Sequence, residues 1–222
     1  MGDTEVLVRT RLALHAVAEQ VLAAARYAGE GRIGLVVTDG GFGTPPFPGP
    51  FGMTRLGVAG TTLVVADDRG ARTLPLTTIG ELAAAVGASP GAPAGVYPPA
   101  TTVQPDDQLA VDARAARALA DWFALGDAAL RRFLDAEVPA DAPRPEPTLW
   151  PEHFDLGVTL DEVNYGASPG DDSSDRPYLY VGPWEPHEGP FWNQPFGASR
   201  DDGVIGDVDT AVAFLREGRR LA

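Results

Sequence analysis

From Pro177 to Gly197 the chain reads PYLYVGPWEPHEGPFWNQPFG. Five Pro and three Gly break it up, so it cannot form one regular element. It nevertheless gathers Tyr178, Tyr180, Trp184, His187, Glu188, Trp192 and Asn193. Aromatic rings with a few fixed polar groups are what a small-molecule pocket is made of. In that reading Trp184, Trp192 and Tyr180 are apolar walls, and His153, Asp155, His187 and Asn193 are polar contacts. His187, beside carboxylates, is of the type that serves as a general base or a ligand. The plainer reading is a Pro-stiffened loop whose Trp side chains plug the core.

A second candidate is EHFDLGVTLD, where His153 and Asp155 stand at i, i+2. On a strand that spacing shares a face, and imidazole with carboxylate is a common metal pair. With His187 and Glu188 they form a candidate metal set in which a bound water would be the nucleophile. A solvated sheet face explains the same two residues without a metal. Asp171, Asp172 and Asp175 crowd the stretch from Asp161 to Pro177, but the EF-hand spacing is absent and a solvated acidic loop is the simpler expectation. The Gly-rich GGFGTPPFPGPFG lacks both the dinucleotide and the P-loop patterns, and strand follows it where phosphate binding needs a helix. There is no G-x-S-x-G elbow and no H-E-x-x-H. His15, the remaining histidine, falls on an expected solvated helix face.

Composition narrows the classes. The 222 residues carry a net charge of -14 and no Cys. Disulfides, thiolate chemistry and Cys-held zinc are excluded. All 17 basic residues are Arg. Their scatter on so acidic a chain argues against nucleic acid and against anionic membrane surfaces. Absence of Lys removes Schiff-base and P-loop lysines. With the many Ala, Gly and Pro it reads as a bacterial chain of high GC coding. MGDTEVLVRT lacks a signal-peptide pattern and the apolar runs are short, so a soluble cytoplasmic protein is expected.

The elements that must position these residues follow from periodicity. Residues 4–27 read as an amphipathic helix with Leu7, Leu14, Val17, Val21 and Ala24 inward, and Arg11, His15 and Glu19 on a charged face. RIGLVVTD reads as a strand, Gly40 to Gly52 as a loop held by Phe42, Phe47 and Phe51, and the next two segments as a hairpin turning at RG. TTIGELAAAVG is a short capped helix. A second long helix is expected from about Asp107 to Val138, with Ala116, Leu119, Phe123, Gly126, Leu130 and Phe133 buried. Then come a strand at HFDLGVTL, a polar loop from Asp161 to Arg176, a strand at PYLYVGPW, and a closing helix capped by Asp207.

That order suggests two pseudo-repeated halves of an α+β fold, antiparallel strands packed under helices. The expected parts are residues 1–90, a Pro/Gly/Ala linker at 91–106, and residues 107–222 carrying the candidate site. TLWPEHFDLGVTL, NYGASPGDDSSDRPYLYVGPW and FWNQPFGA together resemble a family of uncharacterised bacterial proteins catalogued as a domain of unknown function. In that family an HFDL-type strand precedes an aromatic-x-Tyr-x-x-Pro strand and a segment opening on Phe-Trp. The resemblance covers most of the chain and implies no activity or cofactor. The residues favour small-molecule binding in the C-terminal half. A metal-dependent enzyme and an interaction domain docking through the Pro/Trp-rich loop are the alternatives. Oligomeric state and cofactor are left open.

Overall fold

The computed structural model describes residues 2–222. The fold is α+β, with helices and two antiparallel sheets of six and five strands. The chain divides into two compact units. One holds the chain through Asp121 together with Leu149–Phe154; the other holds Trp122–Thr148 and Asp155–Ala222. No helix among the described residues is long and apolar enough to cross a membrane.

The first unit opens with α1 (Asp3–Val17), a π-helical turn (Ala18–Ala23) and α2 (Ala24–Glu30), which ends at Gly31 with φ +71°. Leu14, Val17 and Val21 are buried as their spacing predicts. The expected charged face is not solvated: Arg11 is 5% exposed, Glu19 is 0% exposed and His15 is half-buried. The linker explains Glu19. Its carboxylate accepts from Ala100 N at 2.7 Å, Thr101 N at 3.0 Å and Thr101 Oγ1, while Gln20 Nε2 donates to Thr101 Oγ1 at 2.9 Å and Val103 O at 3.0 Å. A π-turn widens the helix by one residue per turn and turns consecutive side chains to a new direction. Here both polar residues of the turn hold the Pro-rich strap.

The first sheet comprises β1 (Val36–Thr38), β2 (Gly41–Gly43), β3 (Phe47–Gly49), β4 (Gly52–Ala59), β5 (Thr62–Asp67) and β6 (Gly70–Pro75). Its order is β1-β2-β4-β5-β6, with β3 also on β4. The hairpin of β5 and β6 turns at Asp68 and Arg69, close to the expected position. The expected Gly-rich loop is itself partly strand, β2 and β3. Glycine permits this: a Cβ at Gly41 would lie 2.1 Å from Val58 O, so only a bare backbone can pair this closely. Phe42 and Phe47 are each 1% exposed and anchor the segment. Helix α3 (Ile79–Val86) is capped by Thr78, whose Oγ1 accepts from Glu81 N at 3.2 Å.

Helix α4 spans Ala113–Glu137 and starts later than its periodicity predicts. Leu109 N donates to Thr77 O and Gln108 bridges Thr78, so the preceding backbone is extended and already paired. Ala116, Leu119, Phe123, Leu130 and Phe133 are buried as expected. The second sheet comprises β7 (Thr148–Trp150), β8 (Asp155–Leu160), β9 (Val163–Ser168), β10 (Tyr178–Pro183) and β11 (Ala198–Asp201), in the order β11-β10-β9-β8-β7. Three of these strands, β7, β9 and β11, were not expected. β9 occupies the first part of the supposed polar loop, and β11 lies in the irregular segment. A tight turn at Asp161 and Glu162, both with positive φ (48° and 65°), returns β8 into β9. The closing helix α5 (Val208–Leu221) is capped by Asp207, whose Oδ1 accepts from Thr210 N at 2.7 Å.

Each half thus runs long helix, antiparallel sheet, shorter helix. The wiring differs, because the second sheet is a plain meander and the first carries β3 off its path. In the second unit one sheet face is fully covered. Leu156, Ala167 and Leu179 form one cross-strand row, and Val158, Tyr165 and Val181 another. All are buried. Two glycines let the helices approach this face: a Cβ at Gly126 of α4 would lie 2.6 Å from Ala167 Cβ, and one at Gly218 of α5 would lie 2.7 Å from Val181 Cγ2. Alternation sends Asp155, Gly157, Thr159, Asn164, Gly166, Ser168, Tyr178 and Tyr180 to the other face.

Candidate functional site

On that outer face Tyr180, Gly166 and Gly157 lie in register across β10, β9 and β8. The two glycines make a shelf across which the end of the Tyr180 ring passes. A Cβ at Gly166 would stand 2.4 Å from Tyr180 Cζ, and one at Gly157 would stand 2.9 Å from its Oη. Tyr180 thereby reaches past β9 and donates to Asp155 Oδ2 at 2.5 Å. Beside it, Tyr178 donates to Asp171 Oδ2 at 2.5 Å. Burial, and then the facing carboxylates, push both phenols above their ordinary range. Both hydroxyls donate and the carboxylate oxygens accept. Burial raises the Asp171 carboxyl, but hydrogen bonds from Tyr178, Ser173 and Ser174 outweigh it and hold the carboxyl low.

A separate groove of about 400 Å³ opens in the same unit. Phe191 and Trp192 wall it, Arg200 and Arg220 bring guanidinium groups, and Glu188 and Glu217 bring carboxylates. The Arg200 guanidinium is set over Phe191 and Phe214, at 5.4 and 5.3 Å from the ring centroids. Among the described residues none of these four charged groups forms an ion pair with another side chain.

The residues expected to act together are placed differently. Trp192 lines the groove, stands edge-on to Phe191 at 4.9 Å and has the His187 ring 5.1 Å away. Glu188 lines the groove too. Asn193 is a loop tie: its Nδ2 donates to Ser199 O at 3.3 Å and its Oδ1 accepts from Ser199 N at 2.9 Å. Trp184 follows β10 and is 63% exposed, so it plugs no core. Asp155 and Tyr180 meet on the glycine shelf. His153 does not share a strand face with Asp155. It sits exposed in a turn, because Phe154 takes φ +53° and strand β8 begins only at Asp155. Among the described residues no group of three or more His, Asp or Glu is placed to hold a metal ion. Asp171 ties its own loop, its Oδ1 accepting from Ser173 N at 2.8 Å and Ser174 N at 3.0 Å.

His15 also departs from expectation. Its ring stacks on Phe154 at 5.2 Å and its Nε2 is 2.8 Å from Pro151 O, which requires Nε2–H as donor. Burial lowers its pKa. Nearby, Tyr97 Oη and Glu152 Oε2 are buried without a hydrogen-bond partner, and burial with the charges of Glu19 and Glu152 raises the Tyr97 phenol. Sequence reasoning missed Phe191, Arg200, Glu217 and Arg220 because they come from a broken loop, a strand and a helix end that only folding joins. The glycines of the shelf were visible as glycines, but their meaning depends on a register that composition does not reveal. No family model, curated protein or solved structure matches the chain.

Proposed function

We propose that the C-terminal unit binds a small zwitterion with a flat apolar group, such as an aromatic amino acid or a close derivative, in the groove walled by Trp192. The observation that carries this reading is the combination of two aromatic walls with two arginines and two glutamates that have no ion-pair partner. A carboxylate suits the guanidinium pair, since Arg presents a planar fork that carboxylates accept. An ammonium suits Glu188 and Glu217, and a ring suits Trp192 and Phe191. Arg200 is already oriented by its two aromatic neighbours, so part of the ordering cost of binding is met before the ligand arrives.

The test is a thermal-shift and calorimetric panel of aromatic amino acids, each beside its decarboxylated amine and its deaminated acid. A ligand at 100 times its Kd stabilises the fold by about 2.7 kcal/mol, and that raises the melting temperature by several degrees. The zwitterion should shift the melting temperature more than either truncated analogue. Arg220→Ala should remove the preference over the amine, and Glu217→Ala the preference over the acid. Equal responses to all three compounds, or none at millimolar concentration, refute the proposal.

A further inference from the structure

We infer that the outer face of the second sheet carries a separate site for an alkylammonium cation, a cage formed by Tyr178, Tyr180 and Phe196. The three ring centroids are mutually 6.4 Å apart. The planes of Tyr178 and Phe196 are within 26° of parallel, and Tyr180 is turned across them, at 84° to Phe196 and 58° to Tyr178. A point equidistant from the three centroids in their plane is about 3.7 Å from each, inside the roughly 6 Å over which a ring attracts a cation. A methylated ammonium rising somewhat out of that plane contacts all three rings.

Two further observations select a cation over a neutral apolar guest. Each tyrosine hydroxyl is tied to a carboxylate, Tyr178 to Asp171 and Tyr180 to Asp155, both at 2.5 Å. Electron-rich carboxylate oxygens therefore stand at the rims of two rings, where they add to the attraction of the faces. The nearest arginine in sequence, Arg176, is engaged with Asp202 at 2.7 Å. The net charge of -14 adds long-range attraction for a cation. The rings are also held before any ligand arrives. Tyr180 is fixed by the shelf of Gly157 and Gly166, and both hydroxyls are anchored. Phe196 is 43% exposed, so a ligand from solvent can reach its ring. A fully covered sheet face under α4 and α5 accounts for Leu179 and Val181. It does not account for three rings gathered on the opposite face, among Asn, Ser, Thr and Gly.

The experiment is titration of the full chain with choline, tetramethylammonium and the neutral isostere 3,3-dimethylbutan-1-ol, read by calorimetry and by saturation-transfer NMR. Choline and tetramethylammonium should bind, and the alcohol should bind at least about 5-fold more weakly, as a cation–π term of 1 kcal/mol or more requires. Phe196→Leu keeps the apolar bulk and removes the ring; it should weaken choline by a similar factor. Asp171→Asn should weaken both cations and leave the alcohol unchanged. Arg220→Ala, in the groove, should leave choline binding intact, so this site stands or falls independently of the proposed zwitterion groove. Equal affinity for choline and the alcohol would show a hydrophobic patch only and overturn the inference. So would choline binding that is unaffected in Phe196→Leu, or no binding of either cation at about 50 mM.

Discussion

Glu19→Ala tests how the first unit is held together. The carboxylate is fully buried and accepts hydrogen bonds from Ala100 N, Thr101 N and Thr101 Oγ1. Hydrogen bonds to a charged group contribute about 1.5–3 kcal/mol each, and a buried donor left unpaired costs about 1–3 kcal/mol. The three do not add fully. Ala100 is exposed, so its N–H recovers water once the strap lifts. The net loss is then about 2–3 kcal/mol, which for a chain of this length lowers the melting temperature by about 4–12 °C. The strap should also become accessible, so limited proteolysis of the variant should cut within residues 91–106 before it cuts elsewhere. Glu19→Gln keeps the volume but replaces one acceptor with an amide N–H facing donors, and should fall between the variant and the parent. The assay pairs calorimetric melting with mass mapping of the first cleavage site. A fall in melting temperature below about 1 °C with an unchanged cleavage map would refute the claim that this carboxylate anchors the strap.

Gly166→Ala places a Cβ 2.4 Å from the Tyr180 ring and 2.5 Å from Leu156 O, so it should destabilise by about 1–3 kcal/mol and abolish choline binding; a variant of parental stability that still binds choline contradicts the shelf. His15 has its pKa lowered chiefly by burial, with Glu19, Arg11 and His153 as the neighbouring charges. Below its ordinary value the unfolded chain binds the extra proton, so stability is full above about pH 6.5 and falls as pH drops. The slope of melting temperature between pH 7.5 and 5 should flatten in His15→Gln, and an identical slope counts against the assignment. Tyr97→Phe deletes a buried hydroxyl that has no partner, and should raise stability by up to about 1 kcal/mol in a melting curve. A lower melting point would show that the hydroxyl is bonded.

Much of the fold was legible because local rules and tertiary packing agree there. The hairpin of β5 and β6, the buried stripe of α4, the Thr78 and Asp207 caps and the opposed faces of Tyr178–Tyr180 and Leu179–Val181 all follow from period and turn chemistry. Reading failed where a neighbour decides the outcome. VNYGAS is a strand whose small residues bury Ala167 only because Gly126 lets α4 come close. Arg11, His15 and Glu19 look solvated at i, i+4 spacing, yet Glu19 is covered by a strap some eighty residues on and His15 by Phe154. His153 and Asp155 lose their common face through one backbone angle at Phe154.

The sequence by itself determined that this is an acidic, Cys-free and Lys-free α+β chain, helices alternating with antiparallel strands, its contact-rich side chains collected in the C-terminal half. Composition and periodicity are sums over neighbours along the chain, and they suffice for those statements. Tertiary structure alone decided which of those side chains meet. Strand register carried Tyr180 across Gly166 to Asp155, and the end of α5 brought Arg220 and Glu217 to Trp192. Both depend on contacts between residues far apart in sequence, whose partners are chosen by the packing of whole elements and leave no local trace.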